Sequence, residues 1–189
     1  GLARYRPYHL THHRFAQQAE DPDLGLSAPF PITRLSLRRK LVRDLWEPFA
    51  GAADARRLHV HWQLGDPPPV VTDASLLSLA VGNLLDNAVA YTEKGGTIEV
   101  ESGTHGDQLR LCVRNTGSKL AQEDAERAFN RFWRGDAARS QAGVHCGLGL
   151  SLVKRIAVVL GGSVAVKSRE GGDFEVTLSI PREAARLHG

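Results

Sequence analysis

Residues 73–91 limit the folds open to this chain more than any other stretch. Behind Asp73, Leu76, Leu77, Ala80, Val81, Leu84, Leu85 and Ala88 recur at three- and four-residue spacing, which predicts one long amphipathic helix with Asp73 as its N-cap. A stripe that apolar has to be buried against a second layer. Short alternating segments supply it: 59–64, 97–102, 108–114, 163–168 and 174–180 read as strands. The second and third form a hairpin around 103–107, and the last two turn at Gly171-Gly172. Lys94-Gly95-Gly96 is a further turn, and residues 34–37 are short enough for an edge strand. Three more helices fit: 38–53, with a kink or break at Pro48; 122–132; and 148–160, closed by Gly161-Gly162 as a glycine cap. Antiparallel neighbours with interspersed helices predict an α+β fold, a two-layer α/β sandwich with a mixed, mostly antiparallel sheet packed on helices. A doubly wound parallel sheet is disfavoured.

Residues 1–31 are polar and broken by Pro22, Gly25, Pro29 and Pro31, so they read as a tail or linker. The folded domain is expected over 32–183, followed by a short tail at 184–189. Hydrophobic residues at 42% and charged residues at 24% are those of a globular chain, which excludes disordered, coiled-coil and collagen-like classes. The net charge of +3 sits at the front: residues 1–50 carry eight Lys/Arg against five Asp/Glu, and the rest carry sixteen of each. With aromatics at 6% and no basic stripe, no nucleic-acid partner is expected. The longest apolar run, 156–160, is far below the about 20 residues of a membrane span, so no direct membrane contact is expected. No charged-then-apolar pattern opens these residues, so no signal peptide is expected among them. Two cysteines without a CxxC pair point to a reducing cytoplasm.

Four segments carry chemistry. On the long helix, Asn83, Asn87 and Tyr91 repeat every four residues and line one face. An amide oxygen is a hard neutral ligand suited to Mg²⁺; the alternative is a pair of solvent-facing or packing amides. The glycine segment 143–153 runs straight into a helix, where backbone N–H groups approach phosphate oxygens. It is neither a Walker loop nor a dinucleotide fingerprint. Strand 109–114 runs on into Asn115-Thr-Gly117. Residues 128–134 interleave aromatics with Arg131 and Arg134, whose guanidinium groups suit phosphate, or else form a solvated basic face.

In this order, NLLDNAVAYT, VRNTG, FNRFWR, GLGLSLVKRIAVVLGG and GGDFEVTLSIP resemble the ATP-binding catalytic domain of two-component sensor histidine kinases. That family lies within the superfamily that includes gyrase, the mismatch-repair ATPase and a heat-shock chaperone. The resemblance spans residues 32–181. It implies ATP and Mg²⁺ as cofactors, with Asn87 as the metal ligand, Asn83 bordering the triphosphate and Tyr91 stacking on adenine. Asn115 stands where most relatives place an aspartate that accepts the adenine amino group. Gly117 would let the base approach, and Leu120 would wall it. Gly147, Leu148, Gly149 and Leu150 would give backbone contacts to the phosphates. Asn83, Arg131 and Arg134 are the expected catalytic side chains. Residues 135–146 have the composition and length of a mobile lid. The chain departs from the family pattern at Lys119, Ala90 and His145.

The implied reaction is transfer of the ATP γ-phosphoryl group to a histidine on a separate dimerisation hairpin, with a response regulator downstream. The domain is expected to be cytoplasmic, within a membrane-anchored sensor kinase. Hydrolytic relatives usually carry glutamate at the Asn83 position, and an amide cannot serve as that base. The rival readings are an anti-sigma-type serine kinase and a nucleotide-poor regulatory module. His9, His12 and His13 lack an acceptor-like context and read as solvated. His59, His61, Cys112 and Cys146 read as structural.

Overall fold

A computed structural model describes residues 44–65, 70–118, 120–130, 133, 148–169 and 172–182. Asp73 caps the long helix as expected: its carboxylate accepts the Ser75 and Leu76 amides, both at 2.9 Å. The elements are α1 (Glu47–Ala55), β1 (His59–Leu64), α2 (Ala74–Tyr91), β2 (Thr97–His105) and β3 (Gln108–Thr116). There follow α3 (Gln122–Ala125), continued by a 3-10 turn over Glu126–Phe129, then α4 (Gly149–Val159), β4 (Ser163–Ser168) and β5 (Asp173–Pro181).

The strands form one sheet in the order β1-β2-β3-β5-β4. β1 pairs parallel with β2, and the other three ladders are antiparallel. Residues alternate between its faces. Ile98, Val100, Leu109, Leu111, Val113, Val176, Leu178 and Ile180 enter one core with the stripes of α2 and α4. This is the two-layer α+β arrangement the strand pattern predicts. The opposite face is polar, and Arg114 lies there within 3.1 Å of Glu99, 3.5 Å of Glu101 and 3.6 Å of Glu175. Cys112 sits on that face too, where burial, then Glu175, pushes its thiol pKa up.

Several boundaries differ from the sequence reading. The expected break falls just before Pro48: the chain turns at 45–46 and helix restarts at Glu47, with Pro48 in the first turn of α1, where its missing N–H has no partner to lose. Trp46, before that turn, meets Trp62 edge-on at 5.6 Å and anchors α1 against β1. The β2–β3 hairpin is longer than expected, pairing out to His105 and Gln108 around Gly106-Asp107. Backbone pairing continues there after the apolar alternation has stopped. The helix expected over 122–132 ends as a 3-10 turn at Phe129, with Asn130 extended. Leu76 is half-buried, while Ala74 and Val89 complete the α2 stripe. The expected strand 34–37, residues 38–43 of the first expected helix, the tails, the lid 135–146 and Cys146 lie outside the described residues.

α4 ends in a double bond pattern: the Gly161 amide donates to Val158 O and the Gly162 amide to Ala157 O, with Gly161 at φ +71°. Gly162 also lies against β5, where an added Cβ would stand 2.1 Å from Ser179 O and 2.9 Å from Ile180 Cα. Gly51 in α1 has nothing within 4 Å of such a Cβ. Gly162→Ala should therefore destabilise the domain by about 1–3 kcal/mol, as overpacking does. Gly51→Ala should stabilise it by about 0.5–1 kcal/mol, by reducing chain entropy in the unfolded state. Urea denaturation of both variants checks the opposite signs.

Candidate functional site

The buried side of α2 leaves Asn83, Asn87 and Tyr91 on its flank, one turn apart, the two amides half-buried and Tyr91 exposed. Asn83 Nδ2 donates to Leu79 O at 2.8 Å, which fixes the amide orientation. Its carbonyl oxygen then faces α4, for a Cβ built on Gly149 would lie 3.1 Å from Asn83 Oδ1. Glycine at 149 is what lets the first turn of α4 come this close. Among the described residues no side chain caps that turn at Leu148, and a helix start of this kind presents donor amides reinforced by the helix dipole. The Asn87 side chain makes no hydrogen bond among the described residues. It therefore offers a hard oxygen suited to Mg²⁺ alongside phosphate and water. Among the described residues no group of three His, Cys, Asp or Glu could hold a metal by itself.

The other end of the site is the close of β3. Asn115 is buried on the helix-facing side of the sheet, and its amide nitrogen makes only a 3.4 Å bond to Thr116 O. Gly117 follows at φ +82°, a conformation side chains resist, and a Cβ there would stand 3.0 Å from the Glu93 side chain. The turn thus abuts the chain just beyond Tyr91. Thr116 Oγ1 accepts the Thr97 amide at 2.9 Å and ties the same two segments together.

Leu120, expected to wall the base, is held by a polar latch. Ser118 and Ser168 hydroxyls meet at 2.9 Å. Ser168 Oγ donates to Leu120 O at 2.7 Å, and the Leu120 amide donates to Ser118 Oγ at 3.2 Å. Gln122 Oε1 accepts the Ser168 amide at 2.7 Å. None of Ser118, Gln122, Ser168 or Glu93 was singled out from sequence, because their partners lie across turns or some 46–50 positions away.

Asn83, Asn87, Tyr91, Asn115, Gly117, Leu120 and Gly149 therefore fall along α2 and its two neighbouring turns. Leu148 stands exposed at the start of α4, whereas the Leu150 side chain is buried in the core, leaving only its backbone to the site. Arg131, Arg134 and Gly147, like Lys119 and His145, lie outside the described residues. Cys112, on the opposite face of the sheet, and His59 and His61, exposed on β1, stand apart from this arrangement.

The sequence profile of the histidine kinase-, DNA gyrase B- and HSP90-like ATPases matches residues 72–184. The sensor-like histidine kinase SenX3 of Mycobacterium bovis is 37% identical over 137 residues, which cover 72% of this chain and 33% of that protein. The chain thus spans about a third of the length of this curated relative. The catalytic domain of histidine kinase ThkA superposes with a TM-score of 0.66 at 24% identity, covering 77% of this chain and 92% of that one. Full-length ShkA in complex with AMPPNP gives 0.62 at 26% identity, over 78% and 31%. The chain belongs to the histidine kinase-, DNA gyrase B- and HSP90-like ATPase family, with the fold of a sensor histidine kinase catalytic domain.

Proposed function

We propose that this domain binds Mg-ATP and transfers the γ-phosphoryl group to a histidine ring nitrogen on a dimerisation hairpin. The observation that carries the reading is the row Asn83–Asn87–Tyr91 on α2, between the uncapped start of α4 and the Asn115–Gly117 turn. Asn83 and Tyr91 stand eight helical steps apart, about 12 Å along the axis, on the scale of an extended nucleoside triphosphate. ShkA, of the same fold, was solved with a nucleotide analogue.

Tyr91 stacks on the base, and Asn115 accepts from its amino group, as an amide oxygen can. Gly117 admits the ring against the turn, and Leu120 walls it. The backbone amides of residues 147–150 and Asn83 meet the phosphates, and Arg131 and Arg134 would add positive charge there. Asn87 would hold Mg²⁺, which supplies charge neutralisation across the phosphates when bound. Phosphoryl transfer asks the protein mainly for positioning and charge stabilisation. Asn83, an amide, cannot take a proton from water, so transfer to a protein acceptor is favoured over hydrolysis; anti-sigma-type serine kinases usually carry glutamate at this position, so the amide also counts against that reading. A response regulator is the downstream partner; ThkA was solved in complex with one. The setting is the cytoplasmic part of a membrane-anchored sensor kinase, and no helix among the described residues is long and apolar enough to cross a membrane.

Two experiments test this. Asn87→Ala should weaken Mg-ATP binding by at least about tenfold, the weight of a lost charge-assisted contact. Metal-free ADP binding and the apo melting temperature should stay nearly unchanged. Calorimetry with and without Mg²⁺ reads the difference, and equal loss in both would assign Asn87 to packing. Absence of wild-type binding at millimolar Mg-ADP would favour the regulatory module instead.

In the second, labelled ATP alone should leave the fragment unlabelled. Adding the parent kinase's hairpin as a separate chain should give slow labelling of the hairpin, because effective concentration is lost without the linker. That label should be acid-labile and alkali-stable, as a phosphorus–nitrogen bond is. Acid-stable label on serine would transfer the assignment to the serine kinases, and label at His9, His12 or His13 would make the tail an acceptor.

A further inference from the structure

The end of α2 that carries Tyr91 has an electrostatic problem. Its last carbonyls lack intrahelical donors, and α2 has no basic residue in its last turn. The donor comes from a different helix. Arg56, at the C-cap of α1, sends its guanidinium to the carbonyls of Val89, Ala90 and Thr92, the second at 3.0 Å. Its own carbonyl accepts the Gly95 amide at 3.0 Å. Acceptors on both sides of Tyr91 are thus held by one side chain, and the turn beyond them by the same residue's backbone.

The local backbone is shaped to deliver that arginine. Arg57 adopts φ 56°, the left-handed region that non-glycine residues avoid. It closes α1 as glycine normally would, with the Arg57 amide on Asp54 O and the Leu58 amide on Ala53 O. Strain of this kind persists where surrounding contacts over-determine it. Only arginine offers a planar fork of donors able to serve several carbonyls together, besides a fixed positive charge facing the negative end of the α2 dipole.

We propose that Arg56 is a positioning residue for nucleotide binding: it locks the C-terminal turn of α2 so that Tyr91 is held ready for the base. This rests on the stacking role given to Tyr91 above. Arg56 acts through the α2 backbone and touches no nucleotide itself. The arrangement also joins α1 directly to the end of the helix that carries the site.

A double-mutant cycle tests it, using Arg56→Ala, Tyr91→Ala and the double variant, with ADP affinity measured by calorimetry without metal. Arg56→Ala should weaken ADP binding roughly tenfold, because only about a tenth of the protein would then hold the turn in its binding-competent form. In the Tyr91→Ala background its removal should cost little more, since coupled residues are non-additive. Arg56→Lys should recover only part of the loss and keeps the test usable if the alanine variant folds poorly. In the nucleotide-free protein, Arg56→Ala should speed amide exchange at residues 91–96 and leave α4 unchanged. Wild-type affinity in Arg56→Ala, an equal further loss in the Tyr91→Ala background, or unchanged exchange at 91–96 would each overturn the proposal. If Tyr91→Ala binds ADP like the wild type, the stacking role itself fails and the positioning role with it. Faster exchange in Arg56→Ala would then still show that the bracket holds the turn, which separates the two failures.

Discussion

Leu77, Ala80, Val81, Leu84, Leu85 and Ala88 bury one side of α2 in the core shared with the sheet and α4, and this sets the rotation of the helix about its own axis. Burying a leucine-sized side chain is worth about 1.5–3 kcal/mol. Turning α2 by one residue, about 100°, would expose several of these and press Asn83 or Asn87 into apolar surroundings. An amide buried without partners costs about 1–3 kcal/mol more. The apolar stripe therefore fixes where the amides stand, even though they contribute little to the core themselves.

The same packing explains why small residues recur where elements meet. Ala80 and Ala157 are fully buried, and Gly149 brings α4 against Asn83. A larger side chain at 149 would push the first turn of α4 off α2 and separate its donor amides from the row of polar side chains. Gly117 does the equivalent at the far end, holding a positive φ beside Glu93. One close approach is thus to α2 itself and the other to the chain just beyond its C-cap, each at a residue without a Cβ.

Around this frame the polar contacts divide by task. The Arg114 cluster lies on the opposite face of the sheet, partly exposed, where ion pairs contribute about 0–1 kcal/mol each. In the Ser118–Ser168–Gln122 latch the two serines are buried and Gln122 is exposed, and together they join the segment after β3 to the end of β4. Buried networks of this sort define a conformation when all members are satisfied. Its effect is to fix the backbone of Leu120.

Periodicity was enough to locate α2, its Asp73 cap, α4 with its glycine stop, and every described strand, because each of these follows from local spacing of side chains and from turn residues. It also put Asn83, Asn87 and Tyr91 on one line, since 3.6 residues per turn is a property of the helix alone. Boundaries set by backbone pairing, as at His105 and Thr116, were not legible, for hydrogen bonding continues where apolar alternation ends. Where the helix restarts at the Pro48 break was not legible either: α1 begins at Glu47, behind Trp46 packed on Trp62. Arg56 was equally silent, being 33 residues from its nearest acceptor in the chain. Contacts between residues far apart in sequence depend on how the layers stack, and that was decided by the tertiary structure alone.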